Sequence, residues 1–335
     1  MDIETRVEHW PFKQSFTIAG HTFTASDVLV VEVWCEGLTG WAEAVGAYYK
    51  DETPGSMAEQ ISQAAAELRD VKRSDLSSVL PAGGARNALD CALWDLEAKR
   101  TGRPVWDLVG LNPPQPLRST YTLGGDEPAR MAAAAVQFGD ATHLKLKLLG
   151  DGSDAERVRA VRAARPDVWL MIDANQAFTR NSLEALLPHL VRARVSLIEQ
   201  PLLVGHEADL KGLQRPIPIA ADESVQGPRD LPALIEYFDI INIKLDKCGG
   251  LTHALAMTKE CRRLGFRVMV GNTMGTSLSL APAYLLGQLC DFVDLDGALF
   301  LAADREPGVT YSAGMVTCPK QLWGYPDSHA PRASR

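Results

Sequence analysis

None of the six cysteines forms a C-x-x-C pair, and none of the seven histidines sits in an H-E-x-x-H or similar zinc spacing. The scattered cysteines suit buried free thiols rather than a disulfide framework, and zinc is not expected. No apolar run approaches the ~20 residues of a membrane helix. Basic residues are outnumbered 34 to 42 and the net charge is −8. With no basic stripe in view, a nucleic-acid partner is not expected. The opening residues Met1-Asp2-Ile3-Glu4-Thr5 lack a basic-then-apolar signal pattern. The expectation is a cytoplasmic protein with a small-molecule substrate. A hydrophobic fraction of 46% over 335 residues allows one α/β barrel or two ordinary domains.

What is present is a set of charges inside apolar runs. Lys145 and Lys147 stand two apart in His143-Leu144-Lys145-Leu146-Lys147-Leu148. On a strand both lysines share one face and the three leucines the other. Lys244 follows an equally apolar run, Ile240-Ile241-Asn242-Ile243. Between these runs, Asp173, Glu199 and Asp222 end others. Three carboxylates offer the oxygen ligands that suit a hard cation such as Mg2+. Asp173 and Asp222 alone would pass for helix caps. Glu199 is a poor cap and precedes Gln200-Pro201, which favours ligation.

From about residue 118 the pattern is regular. Apolar runs end near Thr122, Lys147, Asp173, Glu199, Asp222, Lys244, Gly271 and Asp294, in steps of 22 to 27 residues. Helical stretches are expected over 154–164, 182–192, 229–237, 251–264 and 278–289. Strands alternating with helices imply parallel β/α units, and eight strand ends predict a (β/α)8-type barrel over 113–304. Chemistry in such barrels sits at the C-terminal strand ends, where these charges fall. The first part differs, with a strand at 28–33, a turn at 37–40 and helices at 57–68 and 87–99. It predicts an α+β capping domain over 1–112, completed by the Gly- and Pro-containing tail 305–335. The run Gly150-Asp151-Gly152-Ser153-Asp154-Ala155 fits G-x-G-x-x-A. A dinucleotide fold would want the preceding strand buried on both faces, yet it carries two lysines, so the glycines are read as a loop.

Taken together, Lys145-Leu146-Lys147, Asp173-Ala174-Asn175, Glu199-Gln200-Pro201, Asp222-Glu223-Ser224, Asn242-Ile243-Lys244 and Lys247-Cys248-Gly249-Gly250 resemble the enolase superfamily in its muconate-lactonizing-enzyme branch. The segment 85–96 is similar to that family's capping domain. Asp294-Leu295-Asp296-Gly297 and the segment 272–278 resemble dipeptide epimerases of the L-Ala-D/L-Glu type. The resemblance implies Mg2+ on Asp173, Glu199 and Asp222, with Asn175 and Glu223 in support. It implies Lys147 and Lys244 as the acid/base pair and Lys145 beside the substrate carboxylate. Asp294 and Asp296, two residues apart, are expected to share one strand face. They would take the dipeptide ammonium, and a homo-oligomer is suggested by analogy. Thr122 is expected to touch substrate. One departure stands out: where enzymes for acidic dipeptides often carry an arginine, this chain reads Ile18-Ala19-Gly20-His21-Thr22.

These residues suit one reaction. A carbon next to a carboxylate is a weak acid, and removing its proton concentrates negative charge on two oxygens. A cation and Lys145 would stabilise that charge, while one lysine takes the proton and the other returns it to the opposite face. Racemisation of N-acylamino acids, o-succinylbenzoate synthesis and cycloisomerisation use similar equipment. They lack the free amine that Asp294 and Asp296 would hold. A non-catalytic barrel binding protein is the alternative from another class.

Overall fold

The computed structural model describes residues 1–69 and 71–329, and the backbone of 332–333. It opens with an antiparallel meander of β1 (Asp2–Ile18), β2 (His21–Cys35) and β3 (Leu38–Ala44). The segment Val28–Val33 is apolar at nearly every position because both faces of β2 are covered. Leu29, Val31 and Val33 join the main core, which includes the helix Gly84–Thr101. Val28 and Val30 join a second cluster of Trp10, Phe12, Phe16, Ile18 and Leu301. That second cluster lies between the meander and the barrel mouth.

β1 was not among the expected strands. It is mostly exposed and polar, and its register shifts between Pro11 and Phe16. The single helix expected over 57–68 is two pieces, Pro54–Gln63 and Ala65–Leu68. The first starts at a capping box in which the Thr53 hydroxyl accepts the Ser56 N–H and the Ser56 hydroxyl accepts the Thr53 N–H. The helix Gly84–Thr101 stops at Gly102, whose φ of 68° lies in the left-handed region.

A short lead-in strand, β4 (Leu117–Arg118), precedes the barrel. Eight parallel strands follow: β5 (Tyr121–Leu123), β6 (His143–Lys147), β7 (Trp169–Asp173), β8 (Val195–Glu199), β9 (Ile219–Ala221), β10 (Ile240–Ile243), β11 (Arg267–Gly271) and β12 (Phe292–Asp294). The expected strand ends fall at or within one residue of these. The seam between β12 and β5 is bridged by the Thr120 N–H to the Val293 carbonyl at 3.0 Å and the Leu295 N–H to the Ser119 hydroxyl at 2.9 Å. Four of the five expected helices form as long elements. The one expected over 229–237 shrinks to Leu231–Leu234. An alanine-rich helix, Pro128–Gln137, adds to them.

Alternation along the strands layers the barrel interior. Met171, Leu197, Ala220, Ile240 and Met269 form an apolar floor. One pleat higher come Lys147, Asp173 and Glu199, while Lys145 stands level with Met171. Gly150–Asp154 is a loop whose Asp154 carboxylate accepts the Leu149 and Gly150 N–H groups.

The tail returns over both parts. β13 (Arg305–Glu306) pairs with β16 (Arg332–Ala333), while β14 (Thr310–Ser312) pairs with β15 (Met315–Thr317), which continues the sheet to β4. Trp323 Nε1 donates to the Cys91 carbonyl at 3.1 Å, and Asp95 accepts the Gly324 N–H at 2.7 Å. Arg305, buried, donates to Glu43 at 2.6 Å and Glu8 at 2.7 Å. Glu43 also accepts from the N–H and hydroxyl of Thr276 in a barrel loop. Breaking a buried pair strands the remaining charge. Arg305→Ala is therefore expected to cost about 3–5 kcal/mol in denaturant titration, and Arg305→Ala/Glu43→Gln clearly less. Equal losses would contradict this account.

Candidate active site

The parallel ladders put the charges side by side. Lys147 pairs in register with Asp173, and Asp173 with Glu199. Asp222 and Lys244 follow the last residues of β9 and β10. Lys145 and Lys147 point inward by the pleat, while Leu144 and Leu146 pack outward in the core.

Lys145 is almost fully buried and lies among three carboxylates. Its Nζ is 2.7 Å from Asp294, 2.7 Å from Glu199 and 3.1 Å from Asp173. Burial pulls its pKa down, but Asp294, Glu199 and Asp173 outweigh it and hold the ammonium well above its usual range. Lys147 donates to Asp173 at 2.6 Å and to Asn175 Oδ1 at 3.0 Å. Lys244 donates to Asp222 at 2.6 Å. Its pKa is raised because Asp222 and Glu199 outweigh burial. Asp173 falls to about 2, since Lys147 and Lys145 overcome the opposing effect of burial.

Glu199 behaves differently. Burial first, then Asp173, push its pKa up to about 7. One oxygen accepts from Asn242 Nδ2 at 2.7 Å. The other touches Lys145 in an ion pair but accepts no hydrogen bond. Glu223 also rises to about 7, through burial and then Asp222 and Asp173. Asn175, at a φ of 41° that asparagine tolerates, bonds Lys147, Asp173 and Glu223. Among the described residues no three acidic, histidine or cysteine side chains converge closely enough to share an ion. Each carboxylate of the trio is turned onto a lysine. Even so, the donor set fits a hard cation. It is all oxygen, it ends three consecutive strands, and it includes a buried carboxylate whose charge lacks full compensation.

β12 stops at Asp294, so the expectation that Asp294 and Asp296 share one strand face is corrected. The Leu295 N–H turns to Ser119, and Asp296 leads into the 3-10 turn Gly297–Phe300. Both aspartates still line the same cavity. Asp294 accepts from the Thr120 hydroxyl at 2.5 Å as well as from Lys145. Asp296 accepts the Thr122 backbone N–H at 2.6 Å. Burial and Asp294 lift the Asp296 pKa to about 7. Thr122 thus lines the cavity and also steadies Asp296.

The cavity, about 410 Å3, lies between cap and barrel. Its floor holds Lys145, Lys147, Asp222, Lys244 and the two aspartates, and its roof holds Ile18, Phe23, Tyr48, Tyr49 and Glu52. Three more residues organise the site. Lys247 is buried and donates to Asp222 Oδ1 at 2.5 Å and to the Asn242 carbonyl. Burial lowers its pKa against the pull of Asp222. Asn242 points inward by the same two-residue step as Lys244, a signal present in the sequence. Asp246 accepts from the N–H groups of Val45 and Gly46 and from Asn87 Nδ2, each at 3.2 Å. It also accepts from the Thr273 hydroxyl at 2.6 Å. Nothing local in the sequence marks Asp246 as the pin between cap and barrel.

Comparison with known proteins agrees with this geometry. Residues 1–110 match the mandelate racemase / muconate lactonizing enzyme N-terminal domain, and 127–321 the enolase C-terminal domain-like family. The chain is 38% identical to the L-Ala-D/L-Glu epimerase of Escherichia coli strain K12, covering 92% of this chain and 96% of that one. It is also 38% identical to the N-acetyl-D-glutamate racemase of a Pseudoalteromonas species, covering 89% and 95%. An enolase family member from Agrobacterium tumefaciens, solved with sodium and L-Ala-L-Glu, superposes with a TM-score of 0.91 at 41% identity, covering 96% and 99%. A dipeptide epimerase from Enterococcus faecalis V583, solved with Mg and L-Leu-L-Tyr, gives 0.88 at 28% identity, covering 95% and 96%. The chain belongs to the mandelate racemase / muconate lactonizing enzyme family of the enolase superfamily.

Removing the pin should loosen the roof. Asp246→Ala leaves four donors without their acceptor and is expected to cost about 2–4 kcal/mol in urea titration. Stability unchanged from the parent would contradict that role.

Proposed function

We propose that this member of the enolase superfamily is a dipeptide epimerase that inverts the carbon next to the substrate carboxylate through an enediolate. The observation that carries the reading is the placement of Lys147 and Lys244. They stand on β6 and just after β10, four strands apart in a sheet of eight, so they face each other across the barrel mouth. We assign them as the two proton-transfer groups. A substrate α-carbon between them presents one face to each lysine, and a proton taken on one side and returned on the other yields the epimer.

The remaining residues take supporting roles. Asp173, Glu199 and Asp222 would hold a Mg2+ ion. A bound divalent cation supplies Lewis-acid stabilisation to a carboxylate gaining negative charge. Lys145 places a second positive charge at the same end of the cavity. Asn175 orients Lys147. Asp294 and Asp296 are assigned to the substrate ammonium, which puts a free amine a few bonds from the reacting carboxylate, as in a dipeptide. Ile18 packs with Trp10, Phe12 and Phe16 into an apolar cluster beside the cavity, which limits access of bulk water from that side.

The lysine assignment is tested by hydrogen exchange. In heavy water, Lys147→Ala and Lys244→Ala should each lose epimerisation by at least ~10² to 10⁴. Each should keep α-deuterium exchange with one epimer only, and with opposite epimers. Full epimerisation by both variants would sink the proposal. N-acetylated amino acids run alongside. Turnover of these with none of any dipeptide would move the reading to N-acylamino acid racemisation.

The cation assignment has a pH signature. Glu199 and Glu223 have folded-state values of about 7, above the ordinary 4.5. Their charge costs stability as pH rises from 4.5 through 7, with the full cost present above 7 and none below 4.5. A cation relieves that cost and needs deprotonated ligands. Mg2+ added to chelator-treated protein is therefore expected to raise Tm more at pH 8 than at pH 5. A shift equal at both values would contradict the assignment.

A further inference from the structure

The cavity has two ends of different character, and the end in the cap carries information about the substrate side chain. Next to Lys244, on the cap side, lies a shelf of Ile18, His21, Phe23 and Tyr48. Its rings pack together in tilted and edge-on contacts, with His21 to Phe23 at 4.3 Å, Phe23 to Tyr48 at 5.4 Å and His21 to Tyr48 at 5.6 Å. Tyr48 lines the same cavity as Lys244 and Glu223, so the shelf and the proton-transfer position share one space.

A dipeptide held as proposed above has little choice of orientation. Its ammonium goes to Asp294 and Asp296, and its carboxylate toward the acidic trio and Lys145. Its α-carbon lies between Lys147 and Lys244. The barrel beneath is filled by the apolar floor of Met171, Leu197 and their neighbours. The side chain on the epimerised carbon therefore projects upward onto the shelf.

Charge decides what the shelf accepts. The described residues lining the cavity include three lysines against six carboxylates, Asp27, Glu52, Asp222, Glu223, Asp294 and Asp296. All three lysines contact buried acids. An acidic side chain would enter a negative cavity with no cation to spare, at a desolvation cost. A cationic side chain meets two cap carboxylates that already hold partners. The Glu52 oxygens are engaged by the Ala47 and Gly84 N–H groups, and Asp27 is paired with His9 at 2.6 Å. What the shelf offers freely is aromatic and aliphatic surface.

We infer that the epimerised residue of the substrate carries an apolar or aromatic side chain, seated on the Ile18/His21/Phe23/Tyr48 shelf, rather than an acidic one. This rests on the epimerase reading above, and it sets the chain apart from the glutamate named for its 38% identical Escherichia coli relative.

The test is a panel of L-Ala-L-Xaa dipeptides with Xaa as Leu, Phe, Glu or Lys. The full-length protein with Mg2+ in heavy water is followed by α-deuterium incorporation and product stereochemistry. The expected result is a kcat/KM for Leu or Phe at least ~10-fold above that for Glu and Lys, the scale of discrimination available to an apolar pocket. Phe23→Arg, which adds a cation to the shelf, should shift the Glu-to-Phe ratio of kcat/KM by ~10-fold toward Glu. Glu or Lys as the fastest substrate overturns the inference and leaves the epimerase reading standing. So does an unchanged ratio in Phe23→Arg. Deuterium in none of the four dipeptides overturns both.

Discussion

Burying charge at one end of an otherwise apolar barrel is the constraint on which this structure turns. A lone ammonium as deeply buried as Lys145 would be intolerable in a protein interior. It is tolerated because Asp173, Glu199 and Asp294 surround it. Those carboxylates in turn need cations: Asp173 also has Lys147, and Asp222 has Lys244 and Lys247. The ladder register fixes the spacing of Lys145, Lys147, Asp173, Glu199 and Asp294, so these groups cannot separate without unpairing a strand. What burial leaves imperfectly balanced is chiefly Glu199 and Glu223, whose pKa values burial and neighbouring carboxylates lift to about 7.

The cap answers a different need. A barrel mouth lined with charge is open to water, and water screens the interactions that would drive proton abstraction. The meander covers it with β2, whose segment Val28–Val33 is buried on both faces, one on the helix Gly84–Thr101 and one toward the site. Asp246 holds the loop at Val45 and Gly46 against the barrel through hydrogen bonds to its carboxylate. The roof is therefore part of the packed core on one side and part of the substrate pocket on the other.

Much of this was legible in the sequence because two signals coincide at six of the eight strand ends. An apolar run of strand length that stops on Lys, Asp or Glu marks both a β/α unit and a residue aimed at the barrel mouth. The capping helix around 87–99 was legible for a similar reason, being apolar and bounded by glycine. β1 was not, since an exposed, largely polar strand lacks the pattern that half-burial writes. Asp296 was misplaced because side-chain alternation was carried one turn beyond the end of the strand. Lys247 stood in plain view beside Cys248-Gly249-Gly250. Its contact with Asp222 depends on a single helical turn after β10, and no periodicity announces that.

The Arg305 bridge has a consequence for how the molecule comes into being. Glu8 and Glu43 precede the barrel in the chain, while their cation follows it. A ribosome releases the cap's sheet before the barrel and its counterion after it. Until the barrel strands have been made, the buried carboxylate of Glu43 has no guanidinium to meet, and Trp323 has not yet reached Cys91. The nascent roof must wait, half-finished, for the barrel to form beneath it and the tail to come home. The cap over the barrel mouth is thus locked by its guanidinium only after every barrel strand has been made.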